Sequence, residues 1–420
     1  MCSIVLPMIN SQYLIVLISV LIVFSYLFDL FARKTKFPSV ILLMLTGVIC
    51  RAAADYWGYE IKYLNQIIPF MGTVGLVLIV LEGALELEVN REKLTLIYKS
   101  FLSAFMLLLL TTAGLTTIFM NYMDMGWEAS VLNAIPLSVI SSSVAIPSAT
   151  ALGKNDQDFV TYESTFSDII GIMFFNYCLE QFTSHQPLVS ISSLGFLVLK
   201  IIGIIIFSGL LVWVLFQLMG RLNHKVKFFL IISILMIFYA VGKYYHLPLL
   251  VTIFIFGVFL GNSKTLFPKF ILLNRHFLRA GNSLNEFHLI TAESTFLVRT
   301  FFFLLFGFSI TFGNYYDVED FMNGGIIVGA ILLIRAVYML LIERNHSKAL
   351  IFFSPRGLIT ILLFWQLQSV PEFQFQSKAI NEKVLLVVIL GSMLVMMIGT
   401  IGFSVKEEKK AEKINTDEIE

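Results

Sequence analysis

Charged residues are scarce in this 420-residue chain: only 14% are Asp, Glu, Lys or Arg, against roughly a quarter in soluble domains. With so little charge the chain is not expected to contain a soluble domain. Cysteine is also rare. The three cysteines, Cys2, Cys50 and Cys178, lie far apart in sequence and form no metal-binding or redox motif. No basic stretch precedes the first apolar run, so we expect no cleavable signal peptide.

Apolar residues dominate instead, at 58% of the chain and a mean hydropathy of +0.86. A helix satisfies its own backbone hydrogen bonds in lipid, and about 20 apolar residues cross a bilayer. The sequence therefore predicts an all-α membrane protein with about 13 transmembrane helices. The predicted spans are 12–32, 37–55, 65–87, 97–121, 128–152, 158–182, 191–219, 227–243, 246–262, 291–312, 321–343, 347–368 and 383–404.

The distribution of basic residues predicts the orientation. An odd number of spans puts the two termini on opposite sides, and Lys and Arg collect in cytoplasmic loops. With the C-terminus inside, twenty basic residues fall on the inner side, against five outside: Arg51, Lys62, Lys243, Lys378 and Lys383. We expect a multi-pass protein of the cell membrane with its N-terminus outside and a short cytoplasmic tail, 405–420. The longest connection, 265–290, is predicted to be an amphipathic surface helix.

Two spans carry helix-breaking residues. The fifth contains Pro147 in a Ser- and Ala-rich stretch, and the twelfth contains Pro355 followed by Arg356 and Gly357. Proline removes a backbone donor and interrupts the helical ladder. Interrupted spans at matching positions point to two six-helix inverted repeats, spans 1–6 and 8–13, with a binding site between broken helices 5 and 12. The alternative is that both prolines merely kink their helices.

The sixth span carries two acidic residues inside the membrane, where a charge costs at least about 2.5–3.5 kcal/mol. Asp168 lies near the midplane, and Ser164, four residues earlier, shares its helix face. Glu163 shares the opposite face with Ser167. Arg335 in the eleventh span is the first candidate partner of Glu163, and Arg356 is the second. A carboxylate left unpaired at Asp168 could bind a cation or a proton, but not both.

Other polar residues give weaker signals. Glu82, near the inner end of the third span, either lines a cytoplasmic funnel or is a snorkelling interfacial acid. Arg299 and Lys200 are assigned no transport role. The six histidines form no cluster, so the sequence predicts no cofactor and no metal site beyond a transported monovalent cation.

At these residues the sequence resembles the monovalent cation/proton antiporter superfamily, in particular its NhaP-type sodium/proton exchanger branch. The similar stretches are LEGALEL (81–87), ESTFSD (163–168), FLVRTFFFLLFG (296–307), IRAVY (334–338) and SPRGLIT (354–360). The resemblance implies a homodimer, with a dimerisation part within about 12–87 and 227–312. A core within about 97–182 and 321–404 would move against it. It also implies Asp168 as the carrier and Glu163 with Arg335 as a stabilising pair.

The chain departs from this family in two places. Ala145, Ile146 and Pro147 stand where the family usually has Thr-Asp-Pro, and Ser167 stands where it has asparagine. By the helix-face reasoning, Ser167 belongs on the side of Glu163 and Arg335. Cation coordination would then depend on Asp168, Ser164, backbone carbonyls at the break, water and a serine of the fifth span, Ser143 or its neighbour Ser142.

The predicted function is secondary antiport of a monovalent cation, Na⁺ with Li⁺ or K⁺ left open, against H⁺, serving pH homeostasis. The expected partners are the two ions, membrane lipid and a second copy of the chain, but no nucleic acid. Two alternatives stay open: a non-transporting membrane sensor or regulatory subunit, and a polytopic polysaccharide polymerase or ligase. The short acidic outer loops argue against the last, and the protein is not expected to be an enzyme.

Overall fold

The computed structural model describes residues 11–35, 38–56, 64–150, 152–188, 191–221, 227–244, 250–262, 284–310, 318–343, 348–371, 373 and 380–417. Within these ranges the chain is all helical and has no strand. Two short 3₁₀ helices, Arg91–Lys93 and Lys348–Phe352, accompany the α-helices. The α-helices are α1 (Ser11–Thr35), α2 (Ser39–Tyr56), α3 (Leu64–Glu86), α4 (Leu94–Tyr122), α5 (Trp127–Ser138), α6 (Ser142–Ala149), α7 (Lys154–Thr183), α8 (Ile191–Arg221), α9 (Lys227–Tyr244), α10 (Leu250–Gly261), α11 (Leu284–Ser309), α12 (Val318–Leu341), α13 (Leu358–Gln368) and α14 (Glu382–Asp417).

These helices confirm the predicted thirteen spans with two interruptions. The fifth span is divided into α5 and α6 by the non-helical residues 139–141. The twelfth comprises the 3₁₀ helix Lys348–Phe352, an extended segment at 353–357 and α13. In the described ranges, seven helical segments are long and apolar enough to cross a membrane, and five shorter ones are also apolar. The protein is a multi-pass membrane protein.

Two predicted peripheral segments have different outcomes. Of the predicted surface helix 265–290, residues 265–283 lie outside the described residues, and the remainder forms the first turns of α11. The last apolar span, Glu382–Gly402, ends close to the predicted residue 404, but its helix does not. Helix α14 continues to Asp417, because the tail is rich in the good helix formers Lys, Glu and Ala.

The helices pack in two groups. One contains α2, α3, α10 and α11, with α8 against α10, and the other contains α4 to α7, α12 and α14. Helix α13 lies between the groups and packs against α5 and α7 of the second and α3 of the first. The second group includes segments of the predicted core, whose role and movement against a dimerisation part stay predictions.

Close backbone contact joins α2 to α11. A β-carbon added at Gly47 would overlap the carbonyl oxygen of Leu304, and one at Gly307 would overlap that of Met44. Small residues permit such approach between membrane helices, where dispersion contacts rather than hydrophobic burial drive packing. The first group is therefore tightly packed where α2 and α11 meet.

Candidate functional site

The two interruptions cross inside the protein. The backbone amide of Ser141 donates a 3.0 Å hydrogen bond to the carbonyl oxygen of Pro355. A β-carbon at Gly357 would lie 2.8 Å from the Ser141 hydroxyl, so glycine permits the two segments to approach this closely. Non-helical backbone at membrane depth must find partners within the protein, and here each break supplies some for the other.

Arg356 donates a hydrogen bond at the C-terminal end of α5. Its side chain is 1% exposed, and Nη1 donates a 2.8 Å hydrogen bond to the carbonyl oxygen of Val139, just beyond the last residue of the helix. A cation is favourable at the negative end of a helix dipole. Arg356, considered in the sequence as a second partner for Glu163, is thus directed to the break instead.

Asp168 of α7 is buried beside the first residue of α6. Its Oδ2 accepts hydrogen bonds from the backbone amide of Ser142, at 3.3 Å, and from the Ser142 hydroxyl. The amides at this helix start carry partial positive charge, which favours an anion. Oδ1 is also buried and has no hydrogen-bond partner among the described residues. One oxygen of the carboxyl group is therefore available to another ligand.

The other predicted ion ligands have partners of their own. The Ser164 hydroxyl is buried and donates to the carbonyl oxygen of Thr161 at 3.4 Å. The Ser143 hydroxyl lies 2.8 Å from that of Ser141 in a hydrogen bond. The serine that contacts Asp168 is Ser142, the alternative left open by the sequence, because α6 begins there and directs its first amide and hydroxyl at the carboxyl group.

Glu163 forms a complete pair with Arg335. Nη2 of Arg335 lies 2.7 Å from Oε2 of Glu163, and Nη1 lies 3.2 Å from Oε1. Ser103 of α4 donates a further 2.7 Å bond to Oε1, and Nε of Arg335 donates to the carbonyl oxygen of Leu350 at 2.8 Å. Such two-pronged, fully hydrogen-bonded geometry is what a buried ion pair needs to offset its desolvation. Sequence reasoning had not found Ser103.

Ser167 has a different neighbour from the one predicted. Its hydroxyl oxygen accepts a 3.0 Å hydrogen bond from the backbone amide of Ile140, within the first break. The helix-face reasoning put Ser167 beside Glu163 and Arg335. The unwound backbone at 139–141 passes over that face of α7, and its unsatisfied amide takes the hydroxyl.

Pro147 does not mark the break itself, which lies at residues 139–141, but it shapes the site. Proline lacks the amide that would bond the carbonyl oxygen four residues earlier, that of Ser143. Nη1 of Arg299 donates to this freed oxygen at 3.4 Å. Arg299, given no role from sequence, thereby joins the site from α11. The sequence signal for Arg299 was Pro147, which leaves the carbonyl oxygen of Ser143 without its partner in the helix.

A cavity of about 660 Å³ leads to the break from one end of the helices. It reaches Ser142 and Ser143, and its wall includes Ile146 and Arg299. Four carboxyl groups line it: Asp29, Glu82, Glu86 and Glu293. Glu82 is half-buried and close enough to Arg299 for their charges to interact. Within the described ranges, no group of three or more His, Cys, Asp or Glu side chains could hold a metal ion.

These features define a class of protein: a multi-pass helical membrane protein whose two interrupted spans cross beside a buried carboxyl group. The family model for the transmembrane sodium/hydrogen exchanger matches residues 18–406. The chain belongs to this sodium/hydrogen exchanger family, whose members are transporters rather than enzymes. The predicted family is confirmed.

Solved structures show the same fold. Two structures of the sodium proton antiporter MjNhaP1 from Methanocaldococcus jannaschii are similar to this chain, at TM-scores of 0.65 and 0.67. Sequence identity is 18% and 19%, over 94% and 96% of this chain and 100% and 98% of the other. No curated protein matches the sequence.

Proposed function

We propose that the protein is a secondary antiporter that exchanges a monovalent cation, Na⁺ foremost, for H⁺ across the cell membrane. Asp168 would bind the two in turn. The observation that carries the proposal is the carboxyl group itself, which is buried, held by Ser142 through one oxygen and without a cationic partner among the described residues. Membership of the sodium/hydrogen exchanger family supports the same reaction.

Competition at one carboxyl group couples the two ions. An isolated carboxylate is costly away from water, so it is stable there either protonated or bound to a cation. Oxygen ligands suit a hard cation. The hydroxyls of Ser142 and Ser164 and the carbonyl oxygens of the break would complete its shell. Ser143 would not contact Asp168; it would help to hold the break in place through its hydrogen bond to Ser141.

The neighbouring charges support electroneutral one-for-one exchange. Glu163 and Arg335 pair with each other and have further hydrogen bonds, so the pair adds no net charge beside the site. Arg356 remains at the Val139 carbonyl oxygen. Of these four charged residues, Asp168 is the one left to change its charge during a cycle.

The acidic cavity would be the cytoplasmic entrance. Its wall extends to Glu86 and Gln157, near the helix ends that carry Lys93 and Lys154, on the side where basic loops favour the cytoplasm. Glu82 and its acidic neighbours would concentrate cations there. The homodimer, the moving core and the orientation of the termini belong to this proposal and follow from the family resemblance.

The competing candidate is a membrane sensor that does not transport. Ile146 favours it, because this apolar side chain lines the cavity beside the serines of the break. Such a protein would keep the fold without cation-dependent proton flux. Membership of a transporter family leaves the polymerase or ligase alternative unsupported.

The test is proton flux in proteoliposomes that contain a pH-sensitive dye, after pulses of Na⁺, Li⁺ and K⁺ across a range of pH. We expect at least one cation to drive flux, and Asp168→Asn to reduce it to that of empty liposomes. Asp55→Asn is the matched control, because Asp55 lies in the exposed Arg51–Asp55 pair within α2. Flux in the Asp168 variant equal to wild type would rule out the mechanism; no flux from wild type would favour the sensor.

A further inference from the structure

A serine from the following span holds each of the two breaks. In the first, the amide of Ile140 donates to the hydroxyl oxygen of Ser167 on α7 at 3.0 Å. In the second, the amide of Arg356 donates to the hydroxyl oxygen of Ser392 on α14, also at 3.0 Å. Helices α7 and α14 are the sixth and thirteenth spans, which occupy the last position in each six-span repeat. The two serines therefore have equivalent roles in the two repeats: each accepts a hydrogen bond from a backbone amide of the break in the preceding span.

The second of these bonds reaches the first break through one peptide group. The carbonyl of Pro355 and the amide of Arg356 belong to the same peptide unit, which is planar and trans. Its N–H donates to Ser392, and its carbonyl oxygen accepts from the amide of Ser141. The N–H and C=O of a trans peptide point in opposite directions. This unit thus forms a rigid strut between α14 and the backbone that precedes Ser142.

The Ser392 hydroxyl is fixed for this contact. It donates its own proton to the carbonyl oxygen of Ile389, 2.9 Å away in the same helix. A hydroxyl has one proton and two lone pairs, so a lone pair is left for the amide of Arg356. The side chain is 4% exposed, and water is therefore a poor substitute for it.

We infer that Ser392 is a positioning residue for the site at Asp168, which it does not touch. Its hydroxyl holds the Pro355–Arg356 peptide, the peptide holds Ser141, and Ser141 fixes the backbone of Ser142 against the carboxyl group. Loss of the hydroxyl would leave the buried amide of Arg356 without an acceptor, and the Pro355–Arg356 peptide would rotate until this amide has another one. The inference rests on the proposed exchange function for its consequence in transport, but its structural part can be measured separately.

The experiment uses three variants of the full chain. Ser392→Ala removes the acceptor, and Ser392→Thr retains a hydroxyl that can bond its own helix in the same way. Ser208→Ala is the matched control, since Ser208 is a buried helical serine that bonds the carbonyl oxygen of Ile204 and the hydroxyl of Thr252 in α10. If the alanine variant does not fold, Ser392→Cys takes its place, because a thiol is a weak acceptor of similar size.

Two readouts separate a positioning role from a local one. Hydrogen–deuterium exchange with mass spectrometry measures the amides of 139–143 and 353–357, without requiring transport. We expect both segments to exchange several-fold faster in Ser392→Ala and to match wild type in Ser392→Thr and Ser208→Ala. In proteoliposomes, the apparent KM for the cation should rise about tenfold in Ser392→Ala, with a displaced pH profile.

Faster exchange confined to 353–357, with 139–143 unchanged, would overturn the inference and leave Ser392 as a local brace. A threonine variant that behaves like the alanine variant would overturn the hydroxyl as the acting group. If wild-type protein shows no cation-driven proton flux, the proposed function fails, whereas the deuterium uptake of 139–143 still decides whether Ser392 holds the first break.

Discussion

Two buried carboxyl groups lie five residues apart on α7, and their surroundings differ. Glu163 faces α4 and α12, where Arg335 and Ser103 supply hydrogen bonds to both of its oxygens. Asp168 faces the first break, where its hydrogen bonds within the described part of the chain come from Ser142 and Oδ1 has no hydrogen-bond partner. The two residues are equally buried, at 1% exposure each. Their partners therefore decide which carboxyl group is fixed as architecture and which can exchange ligands.

The largest expected effect on stability comes from breaking the pair. Glu163→Gln would leave Arg335 charged and buried without a counter-charge, at a cost of about 3–5 kcal/mol. We expect a large fall in the melting temperature of the detergent-purified protein, and substantial recovery in the double variant Glu163→Gln, Arg335→Met. Asp168→Asn should cost far less, because no charged partner is left behind. Equal losses for Glu163→Gln and Asp168→Asn would remove the distinction between the two sites.

A smaller effect, on ion binding rather than folding, is expected at the first turn of α6. Ser142→Ala removes the hydroxyl that contacts Asp168 and retains the backbone amide. The apparent KM for the cation in proteoliposomes should rise about tenfold, the size expected for a lost hydrogen bond to a charged group. Ser143→Ala is the control, since its hydroxyl bonds Ser141 instead. A larger rise for Ser143→Ala than for Ser142→Ala would reverse the assignment.

The entrance should have a weaker and salt-dependent influence. Glu82 lines the cavity and Asp168 does not, so Glu82→Gln removes attraction for cations without altering the exchanging carboxyl group. We expect an apparent KM raised by about fivefold at low ionic strength and less at high, because salt screens charges that water reaches. An effect that does not change with ionic strength would point to direct coordination by Glu82.

The smallest effect is expected at an exposed acid. The Lys93 ammonium, hydrogen-bonded to Glu88, lowers the pKa of that carboxyl group. A lowered pKa means that the contribution to stability is present at neutral pH and is lost as the pH falls through the folded-state pKa. Glu88→Gln should therefore lower the melting temperature at pH 7 by less than about 2 °C, with no difference in strong acid. A fall in melting temperature as large as that of Glu163→Gln would mean that burial does not decide how much these acids contribute to stability.

The sequence was most informative where composition or a proline constrains the backbone. The thirteen spans follow from apolar length, and the two interrupted spans follow from Pro147 and Pro355. The position of the first interruption did not follow, because proline is tolerated within α6 when Arg299 bonds the freed carbonyl oxygen of Ser143. Without the position of the break, the residue at which α6 begins could not be predicted. Adjacent serines point about 100° apart on a helix, so the sequence could not decide between Ser142 and Ser143 as the neighbour of Asp168.

Apart from the Glu163–Arg335 pair, contacts between distant spans were the least predictable. Periodicity on α7 separates Glu163 from Asp168 but does not say what packs on each side. Ser167 was therefore assigned to the ion pair, whereas it bonds the amide of Ile140. Ser103 and Ser392 had no distinguishing pattern, since a serine in a membrane helix more often bonds its own backbone. Such residues become recognisable only when their partner, the carboxyl group of Glu163 for Ser103 and the second break for Ser392, has been located in space.

The central claim is that cation and proton compete for Asp168 and not for Glu163. The most direct measurement is proton release on addition of the transported cation to purified protein in weakly buffered detergent solution. We expect about one proton per cation bound in wild type, and none in Asp168→Asn. The double variant Glu163→Gln, Arg335→Met should still release its proton. Undiminished release from Asp168→Asn would contradict the account.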